Sequence, residues 1–91
     1  MDENAKIHEM LSSFEEVRDK IVEVKKLAEQ EEGGWKSPNV SSLMKQLLAK
    51  LDKIALDVEK SELSSSWRGK LNTVLSRKRT QVDDLLAKVG L

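Results

Sequence analysis

Ninety-one residues, 38% hydrophobic but only 3% aromatic, suffice for one domain, residues 1–91, whose core must be mostly aliphatic. The lack of cysteine excludes disulfides and thiolate metal sites, and a lone histidine, His8, argues against a histidine-based nucleophilic triad or a nitrogen-ligand zinc site. Net charge is zero, yet residues 1–34 hold ten acidic and five basic side chains (−5) and residues 35–91 hold six and eleven (+5), so either an acidic first helix lies against a basic remainder or a basic face awaits an acidic partner.

The spacing predicts a long first helix over residues 4–31. Ile7, Met10, Phe14, Val17, Ile21, Val24 and Ala28 recur in alternating steps of three and four, the repeat of one helix face. Leu11, Val22 and Leu27 are expected to widen that stripe. Asp2, Glu3 or Asn4 can cap the start, where acids suit the helix dipole. Gly33 and Gly34 can end the helix, because glycine tolerates the left-handed conformation.

Residues 31–39 read as a loop. Ser37-Pro38 restarts a helix, with Ser37 as N-cap and Pro38 at the first helical position. The second helix carries Val40, Leu43, Met44, Leu47, Leu48, Leu51 and Ile54. Beyond it, residues 57–61 either extend the helix or start a short new one capped by Asp57. Ser64, Ser65 and Ser66 form a break, since their hydroxyls compete for backbone hydrogen bonds.

A further helix over residues 66–76 presents Trp67, Leu71, Val74 and Leu75. Arg77, Lys78 and Arg79 then interrupt the apolar pattern, and Thr80 with Asp83 resembles a capping box. A last helix buries Val82, Leu85, Leu86 and Val89 and ends at Gly90. The alternative fuses residues 66–89 into one helix with Lys78 on its apolar seam. The expectation is therefore an all-α bundle of four or five helices with the first longest, or else a three-helix bundle.

Catalytic chemistry has little to build on. Asp83-Asp84 and Glu15-Glu16 are adjacent pairs that diverge on a helix and read as solvated charge. Gly33-Gly34 lacks the length and lysine of a phosphate loop. No enzymatic activity, metal or cofactor is expected. No apolar run approaches the roughly 20 residues needed to cross a bilayer, and no signal-peptide pattern opens the chain. An intracellular, soluble, monomeric protein is expected.

Three features stand out for binding. Trp35, between Gly34 and Lys36, either folds back as a lid or anchors a partner. Trp67 reads as core. Arg77, Lys78 and Arg79 are either a solvated helix end or, in a loop, a site for an acidic peptide or phosphate. Three basic residues without interleaved aromatics make nucleic acid an unfavoured partner.

The stretches Leu51-Asp52-Lys53-Ile54, Leu56-Asp57-Val58, Gly69-Lys70-Leu71-Asn72, Arg77-Lys78-Arg79 and Val82-Asp83-Asp84-Leu85-Leu86-Ala87-Lys88 carry a resemblance. Residues 47–89, about half the chain, resemble the helical domain shared by the N-terminus of elongation factor TFIIS, Mediator subunits and the integrase-binding domain of LEDGF. The chain departs from that pattern at Trp67-Arg68, where the family has an Ile before its Gly. It also lacks the family's closing tryptophan, has a longer loop at 32–38, and has no equivalent of the aromatic that the LEDGF-type domain offers from its last interhelical loop, Arg77 standing nearest.

The resemblance implies a nuclear protein-interaction module that docks short acidic, aromatic-containing motifs of disordered transcription-elongation or chromatin partners at its interhelical loops. Trp35, Lys36, Arg77, Lys78 and Arg79 would form that surface. A second resemblance is to the BAG-type three-helix bundle, a chaperone cofactor, through Leu43-Met44-Lys45-Gln46-Leu47-Leu48-Ala49-Lys50-Leu51-Asp52-Lys53-Ile54, with one extra residue. It implies an unbroken helix across residues 77–80, a cytoplasmic role at a heat-shock chaperone's ATPase domain, and contacts from Asp52, Arg79 and Gln81. The region around Gly69 departs from that pattern. A third expectation is coiled-coil self-association through the heptads of the first two helices.

Overall fold

The seven positions singled out in the first helix, Ile7, Met10, Phe14, Val17, Ile21, Val24 and Ala28, are its buried residues. The structure, a computed structural model, describes residues 3–90; Asp2, one candidate cap, lies outside them. Helix α1 spans Glu3–Gln30, α2 spans Pro38–Lys60 and α3 spans Ser65–Val89, with one 3-10 turn, Gly34–Lys36, before α2.

Helix α2 buries Val40, Leu43, Met44, Leu47, Leu51, Ile54 and Val58. Helix α3 buries Leu71, Leu75, Val82, Leu85 and Val89. Leu63, in the turn between them, closes that end. Together these make one aliphatic core, in which Met44, Leu47, Leu51, Leu71 and Leu85 are at most 2% exposed. Burying each such side chain is worth roughly 1.5–3 kcal/mol, and this rather than helix propensity holds the bundle together.

The helices run up, down and up. At one end the Ser64 hydroxyl donates to Glu3 Oε1 at 3.5 Å. At the other, Lys36 Nζ donates to the Val89 carbonyl at 3.3 Å. The result is a rod of 48 × 19 × 15 Å, its length set by α1, whose 28 residues rise about 42 Å.

The expectation of four or five helices is not met; three are present among the described residues. Asp57 caps nothing, since α2 runs through it to Lys60. There the Ser61 hydroxyl donates to the Val58 carbonyl at 2.7 Å and the chain turns. The serine break is present but begins earlier, at residues 61–64, and Ser64 caps α3 by accepting from the Trp67 amide at 3.4 Å.

No break occurs at residues 77–80. Lysine and arginine are good helix formers, and no glycine or proline interrupts them. Leu71, Leu75, Lys78, Val82, Leu85 and Val89 keep steps of three and four, and the half-buried Lys78 takes a seam position, its methylene stem covering the core as long basic side chains do. Thr80 is no cap: its hydroxyl donates back to the Ser76 carbonyl at 3.1 Å.

Leu11 and Val22 do not widen the stripe of α1, being 40% and 45% exposed. In a three-helix bundle each helix has only two neighbours, so a narrow seam suffices. Leu27 is half-buried against the core. Trp67, expected in the core, sits half-buried at its edge with Lys70 Nζ 4.8 Å from its ring centroid.

Candidate partner-binding surface

The segment carrying Trp35 is tightly built. The Gly34 amide donates to the Glu31 carbonyl at 2.9 Å and the Ser37 amide to the Gly34 carbonyl at 3.1 Å. Gly34 has φ +56, a left-handed conformation that favours glycine. Ser37 is buried, as its N-cap role requires: its hydroxyl accepts from the Asn39 amide at 3.3 Å. Asn39 Nδ2 donates to Glu31 Oε1 at 2.7 Å, tying the loop's two ends together.

This loop lays Trp35 over the end of the bundle, half-buried against the core, with Lys88 Nζ 5.2 Å from its ring centroid. Lys36 reaches the last carbonyl of α3. Both side chains thus close the C-terminal end of α3.

Arg77, Lys78 and Arg79 are elsewhere. They lie mid-helix, and the ten residues from Arg79 to Val89 amount to about 15 Å of rise. The structure does not bring them together with Trp35 and Lys36, and no interhelical loop exists at that point. Nor do the three form one patch. Residues two apart on a helix do not share a face, so exposed Arg77 and Arg79 diverge while Lys78 turns inward.

Arg79 faces α2, its Nη2 3.5 Å from Asp52 Oδ1, with both side chains largely in water. That pair joins two of the three residues implied by the BAG-type resemblance. Gln81, two positions on, is exposed on another face of α3. Beside the pair a groove of about 560 Å³ runs between α2 and α3, bordered by Ala55, Glu59, Arg68, Gly69 and Asn72.

On the opposite flank Lys50 of α2 pairs with Glu16 of α1. The hydrogen bond and charge of Lys50 hold the Glu16 carboxyl below its ordinary range, with Lys20 and Lys53 adding smaller pulls.

Among the described residues, no three His, Cys, Asp or Glu side chains come together so as to hold a metal ion, and no helix is long and apolar enough to cross a membrane.

No family model, curated protein or solved structure matches this chain.

Sequence reasoning misses Ala55, Glu59, Arg68 and Gly69 as borders of one groove. Ala55 and Glu59 are four apart, on one face of α2 visible in the sequence. Their neighbours on α3 depend on how the two helices slide past each other, which only packing fixes.

Proposed function

We propose that this chain is a non-enzymatic protein-interaction module of BAG-like type, docking on the ATPase domain of a heat-shock chaperone through the α2–α3 face. The observation that carries the reading is the exposed Asp52–Arg79 pair, set across two helices by an α3 that passes unbroken through residues 77–80. A rigid helix face supplies what a folded partner's surface needs: fixed donors and acceptors that lose little entropy on binding. Gln81 falls outside this proposed contact because it does not share a face with Arg79. On this reading the protein works in the cytoplasm.

The acidic-peptide reading, which follows the resemblance to transcription-elongation domains, needs a loop at residues 77–80 and a basic cluster there. The chain has helix instead, with its three basic side chains fanned outward and inward.

Calorimetric titration of the full chain with a purified chaperone ATPase domain tests the proposal. One-to-one binding is expected, weakened about tenfold or more by Arg79→Ala, equivalent to about 1.4 kcal/mol. Arg77→Ala, on another face, serves as the control and leaves affinity unchanged. Absence of binding by the unaltered chain, or equal losses from both substitutions, overturns it.

A further inference from the structure

We infer that the furrow between α1 and α3 seats an acidic amphipathic helix of a partner protein. Both helices pack closely on α2 but touch each other only sparsely, so this is the open side of the bundle. Two ion pairs fix which way the helices face. Glu16 turns one flank of α1 to Lys50 of α2, and Arg79 turns one flank of α3 to Asp52 of α2. By helical angle, the opposite flanks carry Leu11, Arg18 and Lys25 on α1, and Trp67, Lys70, Val74, Lys78 and Lys88 on α3.

The charges there go unanswered within the chain. Helices α1 and α3 run parallel, and the hydrogen bond between Glu3 and Ser64, 61 positions apart, sets their register. Arg18 is thus level with Lys78, and Lys25 with Lys88, to within two residues or about 3 Å of rise. Bases therefore face bases, which repel. Among the described residues, Lys25, Lys70, Lys78 and Lys88 have no carboxylate within ion-pair distance, and Arg18 has only its neighbour Asp19, at 3.9 Å. Three acids border the furrow, Glu29 near its top and Glu15 and Asp84 on its outer edges, and Arg77 is a further base on the α3 edge. Six bases against three acids leave the furrow positive.

Apolar side chains sit among these bases. Leu11 is 40% exposed, and by the same register it lies level with Val74 to within two residues. Trp67 and Val74 are half-buried against the core. A nucleic acid would use such a tryptophan by stacking a base on its open face, but the Trp67 ring has Lys70 Nζ 4.8 Å from its centroid. An apolar floor between basic walls instead complements a helix with one apolar stripe flanked by carboxylates. Laid along the furrow, that helix covers Leu11 and sets carboxylates between the facing bases. The seat runs along two helices and needs no loop at residues 77–80. It lies on the other flank of α3 from Arg79, so it is independent of chaperone docking.

Titration of the full chain with a synthetic peptide of about 18 residues, five helical turns, tests the inference. The peptide carries leucines at steps of three and four and glutamates on both sides of them. Amide chemical shifts are expected to change most along residues 11–25 and 67–88, and least on the outer face of α2. Arg18→Glu with Lys70→Glu weakens binding about tenfold or more, and Leu11→Gln about fivefold or more. Lys45→Glu with Lys53→Glu, the same change of charge on the outer face of α2, leaves affinity within about twofold. All five positions are exposed, and circular dichroism checks that each variant folds. A peptide of identical composition with its leucines scattered around the helix binds about tenfold more weakly. The inference is overturned by no binding, by equal binding of the two peptides, by equal losses from the two charge-reversed pairs, by no loss from Leu11→Gln, or by an oligothymidylate that binds more tightly than the peptide.

Discussion

Lys36 shows how a residue's role depends on what lies far away in sequence. Beside Trp35 in an apparent loop, it reads as half of a binding pair. In the fold its ammonium donates to the carbonyl of Val89, 53 positions on, and places positive charge at the negative end of α3. Gly90 completes that end in a left-handed conformation, φ +84, its amide donating to the Leu86 carbonyl at 2.8 Å. Nothing local to Lys36 signals this reach. Replacing Lys36 with Met keeps the apolar stem and removes the donor. Urea denaturation should register a loss of about 0.5–1.5 kcal/mol, with the helical content unchanged at neutral pH. An unchanged midpoint would mean that the Val89 carbonyl is satisfied by water at no cost.

At the scale of elements, apolar periodicity is the most legible signal. Every buried position of α1 is readable from steps of three and four. Ser37-Pro38 marks the start of α2, and Gly90 the end of α3. The misreadings come where polar residues are counted as breaks. At Lys78 the seam continues through a charged side chain whose stem packs inward. At Thr80 a hydroxyl that could cap a new helix instead bonds within the old one. The pairing of Asp52 with Arg79 is not legible at all, since the register of α2 on α3 is set by the core. Lys78→Leu should therefore stabilise the fold by about 1 kcal/mol, and Lys78→Gly should destabilise it by a similar amount. Equilibrium unfolding of the two variants checks both. Destabilisation by leucine would show that residue 78 needs its charge rather than its stem. Backbone chemical shifts over residues 75–82 should be helical without interruption.

The whole molecule joins an acidic α1 to a more basic remainder, and the Lys50–Glu16 ion pair links the two across helices. The consequence is a pH dependence with a definite sign. The Glu16 carboxyl is held below the ordinary range, chiefly by its hydrogen bond to Lys50 and then by that residue's charge. A lowered folded-state value means that the unfolded chain binds the proton more readily than the folded one. The stabilisation is thus complete above the ordinary carboxylate pKa of about 4.3, and it fades as pH falls through the lowered folded value. Glu16→Gln removes the titrating group. The difference in urea midpoint between the unaltered chain and this variant should be constant near pH 7 and shrink toward zero on acidification, as the native pair loses its charge. Because the pair faces solvent, with side-chain exposures of 26% and 57%, added salt should narrow the same difference at neutral pH. A gap that persisted unaltered in acid and in high salt would assign the effect of Glu16 to packing of its side chain rather than to its charge.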